Sequence, residues 1–137
     1  MQSATSNKIG WGLSILLSLF LIGPSAMGKF TEWEGKAEMF EKMGVTNELI
    51  MKIGVLEIVI AVLFIIPRTG FLGAILITGY LGGAVMTHLR LGDAFLFPVI
   101  LGVLIWIALG LRHPEIFRLA FGGNRNKSVS GTVEPSA

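Results

Sequence analysis

A chain of 137 residues in which 53% of side chains are hydrophobic and 15% charged has too few polar groups to cover a water-facing surface, since an ordinary soluble domain carries roughly 25% charged residues. The net charge of +2, from eleven Lys/Arg and nine Asp/Glu with no basic block interleaved with aromatics, leaves no electrostatic footprint for nucleic acid. The lack of cysteine removes disulfides, thiolate nucleophiles and cysteine-ligated zinc or iron–sulfur centres.

Four apolar runs succeed one another, each close to the roughly 20 residues that a spanning helix needs. None alternates with period two, and free backbone groups find no partner in hydrocarbon, so helices are expected. The first run covers residues 9–27, with Gly23-Pro24 predicting a kink or early stop near its end. Pro24-Ser25-Ala26 loosely resembles a signal-peptide cleavage site. Only Lys8 lies upstream, however, and the run exceeds the usual h-region of roughly 7–15 residues, so a retained span is expected. Residues 27–48 form the one long connection. Thr31 and Glu34 fit a capping box, Trp33, Ala37 and Phe40 recur at helical spacing, and Gly44 suits a left-handed stop. A short amphipathic helix across the outer mouth is expected, with Glu32, Glu34, Glu38 and Glu41 on its polar side, serving either as a lid or docking surface or as a plain linker. The second run, residues 49–66, stops at Pro67; the third covers 70–87; the fourth covers 95–111 and exits at Arg112, His113 and Pro114.

The fold class expected is all-α: a transmembrane four-helix bundle with a short amphipathic helix in the first extracytoplasmic loop. An even number of spans puts both termini on one side. Lys8, Arg68, Arg112, Arg118, Arg125 and Lys127 fall there, against Lys29, Lys36, Lys42 and Arg90 opposite, which by the positive-inside rule makes both termini cytoplasmic. The membrane domain is read as residues 1–121 and residues 122–137, rich in Gly, Ser and Asn, as a disordered cytoplasmic tail.

Glu57 stands near the middle of the second run. An acid at that depth costs about 2.5–3.5 kcal/mol on insertion scales, so it is expected to face a bundle interior with a partner. At about 1.5 Å per residue, Ser18, Thr78 and Tyr80 lie at similar depth, and Ser14 shares a helix face with Ser18. The expected intramembrane polar site is therefore Glu57, Ser18, Thr78 and Tyr80, with a protonated carboxyl donating to a serine or tyrosine oxygen. Its role is a proton-exchanging or ligand-orienting group, or a neutral strut between helices. Lys52, about 140° around the helix and near its end, is expected to snorkel to the headgroups. His88 and Arg90 form an outer-end polar cluster near Asp93. His88 and His113 fall on opposite sides, so no metal or haem site is expected. Gly79 and Gly83, with Gly73 and Gly82 beside them, predict close helix packing within the bundle or between protomers. Trp11 falls where an interfacial aromatic belt would put it rather than in a stacking box with Tyr80 and Trp106.

The stretches Gly54-Val55-Leu56-Glu57, Ile66-Pro67-Arg68-Thr69, Gly73-Ala74-Ile75-Leu76, Gly79-Tyr80-Leu81-Gly82-Gly83-Ala84 and His88-Leu89-Arg90, with the late Trp106, resemble the DoxX-like family of small four-helix integral membrane proteins. The resemblance covers roughly residues 9–117. It implies that Glu57, Arg68, His88 and Arg90 match the family's recurring polar positions, and it carries no catalytic role with them. The family takes its name from a subunit of a thiosulfate:quinone oxidoreductase, and other relatives are associated with oxidative-stress complexes. The expectation is an accessory or interaction subunit of the bacterial inner membrane, with lipid and a protein partner or second copy around it and no evident cofactor. One alternative is a quinone-linked oxidoreductase subunit, in which Glu57 exchanges a proton while His88 and Arg90 orient the head group. Another is a small-solute or proton pathway, for which one deep charge in a small bundle is meagre provision.

Overall fold

A computed structural model describes residues 3–122. The expected tail lies outside the described residues except for Gly122, as do Arg125 and Lys127. Among the described residues all regular structure is helical. Helix α1 runs Ala4–Phe30, capped by the Ser3 hydroxyl on the Ser6 amide at 3.0 Å. The expected kink or stop at Gly23-Pro24 is replaced by a six-residue π-helical stretch, Leu21–Ala26, after which the helix continues. A proline ring inside a regular turn presses on the carbonyl four residues back, and the wider π turn makes room for it.

Helix α2, Lys36–Met43, begins later than the capping box predicts. Gly35, at φ 84°, opens it, while the Thr31 hydroxyl turns back to the Met27 carbonyl at 2.9 Å and helps close α1. The stop at Gly44, φ 74°, is where the sequence puts it. The buried positions of α2 are Lys36 and Phe40, one turn apart, whereas Trp33 and Ala37 are exposed.

Helix α3, Asn47–Ile65, starts on a Thr46 cap to the Leu49 amide. Pro67 has no N–H to return to the Leu63 carbonyl, and the Thr69 hydroxyl takes that acceptor at 2.8 Å. Helix α4 is Gly70–Leu91 and stops at Gly92, φ 71°. Helix α5 is Leu96–Arg112, and α6, Pro114–Ala120, leaves it at 116°. The break falls at Pro114, which suits the first turn of a new helix and not the interior of an old one.

The long helices pack as α1 on α5, α5 on α4, α4 on α3 and α3 on α1. Leu21, Ile60, Phe64, Ile77, Ile105 and Leu109 fill the centre. Glycines stand where the helices approach most closely, Gly110 against the Phe117 ring of α6 and Gly54, Gly73 and Gly10 between the long helices. A Cβ at Gly73 would overlap the Phe64 backbone across α3/α4, and one at Gly10 would come within 2.8 Å of the Leu111 side chain across α1/α5. Leu16, Val55, Val59, Phe71 and Val103 face outward, as lipid-facing positions of a membrane protein do.

By length and composition, α1 and α4 are long and apolar enough to cross a membrane, and the bent α5–α6 pair raises the number to three. This is fewer than the four crossings expected. The difference lies in α3, whose 19 residues include Glu48, Lys52 and Glu57.

Candidate functional site

Glu57 is fully buried, and its partner is one the sequence assigns elsewhere. Lys29, expected as a loop residue on the outer side, sits in the last turn of α1 with its Nζ 2.6 Å from Glu57 Oε2. The same Nζ donates to the Ser25 carbonyl at 2.9 Å, and the Ser25 hydroxyl donates to Glu57 Oε1. The carboxyl, expected to donate to a serine or tyrosine oxygen, instead accepts from the Lys29 ammonium and the Ser25 hydroxyl. Each charge compensates the other, which is the condition for keeping either away from water.

Local structure explains the meeting. α1 continues past Pro24, so Ser25 and Lys29, four residues apart, point the same way toward α3. Phe30 then lies against α3 at Gly54, where a Cβ would come within 2.8 Å of its ring. That bare backbone lets the end of α1 close on α3 one turn before Glu57.

Around the ion pair is a cavity of about 750 Å³, within the range of small-molecule sites. Its walls come from α1 (Phe20, Ser25, Lys29), α3 (Ile53, Glu57), α4 (Gly79, Tyr80, Gly83, Thr87, His88) and the start of α5 (Phe97, Pro98, Leu101). Trp33, Met39, Phe40 and Met43 cover it from the α2 side. Tyr80 faces Glu57 and Ser25. The rings of Phe20 and Phe97 meet edge to face at 5.6 Å.

The other expected site residues divide. Tyr80 joins Glu57. Ser18 does not: its hydroxyl points to the Ala61 carbonyl at 3.5 Å, one turn further along α3. Thr78 does not either, since it donates to the Ala74 carbonyl and accepts from Trp106 Nε1 at 2.9 Å. His88 and Arg90 do not form one cluster. His88 lines the cavity, its buried Nδ1 without a hydrogen-bond partner among the described residues, while Arg90 reaches the Met43 carbonyl at the end of α2, 3.3 Å away. Arg68 and Asp93 are exposed. Gly79 and Gly83 pack on no helix among the described residues, because a Cβ at either would meet nothing within 4 Å. They form open cavity wall instead.

A second polar centre lies at the opposite end of the helices. Arg112, read from the sequence as an exit marker, is 4% exposed. Its guanidinium stacks 3.9 Å from the centre of the Trp11 ring and donates to the Phe64 carbonyl at 2.9 Å and the Ser14 hydroxyl at 3.3 Å. Phe64 is in the last turn of α3, where carbonyls have no helical donor, so a cation from α5 closes that helix end. The serine face of α1 thus meets an arginine and the α3 backbone, not the acid. Lys29, Ser25 and Arg112 are the polar residues that sequence reasoning missed. Only the four-residue spacing of Ser25 and Lys29 hinted at any of them.

Among the described residues, no group of three or more His, Cys, Asp or Glu side chains is placed to hold a metal.

The model of the DoxX-like family matches residues 12–108, which include Glu57 and every cavity residue named above. The chain belongs to that family. No curated protein and no solved structure matches it.

Proposed function

We propose that this DoxX-like chain is a four-span protein of the bacterial inner membrane, both termini cytoplasmic, acting as an accessory component that holds a neutral quinone-type molecule beside Glu57. The observation that carries the reading is the Lys29–Glu57 ion pair on the wall of a 750 Å³ cavity. Because the two charges cancel, an anionic or cationic head group would leave one charge uncompensated, and a neutral one is preferred. The His88 Nδ1, which has no partner among the described residues, offers a hydrogen bond to a bound ring's oxygen, and Tyr80 lines the same cavity. Phe20, Phe97 and Trp33 offer faces and edges to a planar ring.

The fourth crossing is α3. Its helix packs along both α1 and α4, and with Lys29 opposite Glu57 the deep acid is no longer an obstacle to insertion. Glu48 and Lys52 pair with each other at 2.7 Å near the end of α3, within reach of the headgroups. A solute or proton pathway finds less support, because Leu21, Ile60, Ile77, Leu81 and Ile105 close the centre between the ion pair and Arg112. The experiment is extraction of native ligand: the protein is purified in mild detergent, its lipophilic content taken into organic solvent and identified by mass spectrometry. A quinone enriched over the bulk membrane, and reduced in Glu57→Gln, is the expected result. Purified protein that carries no quinone above the membrane background overturns the reading.

A further inference from the structure

Gly79 and Gly83 lie one turn apart on α4, and both are exposed wall of the cavity with open space where a side chain would stand. At the same level Tyr80 turns toward Glu57 and Ser25, so the polar end of the cavity and its bare side adjoin each other. The volume of 750 Å³ exceeds what one six-membered ring fills. α4 is itself long and apolar enough to cross a membrane, so its exposed face, Gly79 and Gly83 included, would lie toward acyl chains.

We infer that the cavity is loaded sideways from the bilayer by a chain-bearing lipid, whose tail leaves along Gly79 and Gly83 while its neutral head lies against Tyr80 and the Lys29–Glu57 pair. The inference rests on the reading of the cavity as a quinone-type site and adds a tail requirement to it. With both glycines bare, a methylene chain passes over the α4 backbone. With side chains there, the tail must fold back into a cavity already holding the head.

The test compares two probes: a dimethoxy-methyl-benzoquinone without a chain and the same ring with a ten-carbon chain. Binding to detergent-solubilised full-length protein is read from quenching of tryptophan fluorescence, Trp33 being part of the cavity wall. The wild-type protein is compared with Gly79→Leu/Gly83→Leu and with Gly82→Leu, which sits on the same helix outside the cavity. Leucine is a better helix former than glycine, so the variants are expected to fold. The double variant is expected to lose about tenfold or more in affinity for the chain-bearing probe, the range overpacking produces. It should keep its affinity for the bare ring, and Gly82→Leu should bind both as the wild type does. Wild-type protein that binds neither probe removes the quinone reading itself. Wild-type and double variant binding both probes alike removes only the tail route. If the double variant keeps both affinities but loses cross-linking between copies in native membranes, the glycines serve protomer packing and the tail route is likewise overturned.

Discussion

Replacing Lys29 with methionine keeps the length of the side chain and removes its charge, leaving Glu57 at 0% exposure with no cation. Breaking a buried pair from one side costs about 3–5 kcal/mol, because the remaining charge is stranded. Lys29 is itself only 15% exposed, so little solvent screening discounts that figure. For a chain of 137 residues the loss corresponds to a fall in Tm of about 10–20 °C. Thermal unfolding in detergent, followed by loss of the monodisperse peak on gel filtration, measures it. The double variant Lys29→Met/Glu57→Met tests the cause: replacing both charges with apolar groups of similar volume should restore most of the lost stability. The two substitutions are then strongly non-additive, as partners in one contact are. If Lys29→Met melts within about 2 °C of the wild type, or if the double variant is no more stable than the single one, the ion pair is not what compensates the buried acid.

Two further substitutions test how the frame is held. Arg112→Lys keeps the charge but loses the planar stack on Trp11 and the fork that reaches Phe64 and Ser14 together. It is expected to cost about 2 kcal/mol in the same melting assay, and an unchanged Tm would show that the guanidinium is not closing α3. Gly73→Ala places a methyl group on the Phe64 backbone. Neither backbone can yield as a flexible side chain does, so a loss of at least about 3 kcal/mol and a fall in folded yield are expected, while Gly82→Ala, in open space, serves as the tolerated control.

How much of the site is legible in the sequence depends on what each residue's role requires. Glu57 is legible because a carboxyl inside an apolar run is costly by itself, whatever surrounds it. Tyr80 is legible from depth alone. The same count of residues misplaces Ser18, because it ends the first span at residue 27 with a kink or stop at Gly23-Pro24 and so sets the wrong stretch of α1 opposite the acid. Lys29 falls in the loop for that reason. Gly79 and Gly83 have the spacing of a packing motif, while the close packing between the long helices of this chain falls at Gly10, Gly54 and Gly73. A small residue marks where a backbone can be approached, and it does not say whether anything comes.

Residue order alone dictates what each segment's own chemistry requires: helices, because apolar runs in lipid must satisfy their backbone internally; the stops at Gly44 and Pro67; and one acid that needs compensation. The partners of those groups follow from packing. A π turn at Pro24 carried Ser25 and Lys29 to Glu57, and the bend after Arg112 left its guanidinium between Trp11 and the end of α3. Partner choice depends on how long a helix runs and how it is rotated, and both are fixed only when neighbouring helices pack.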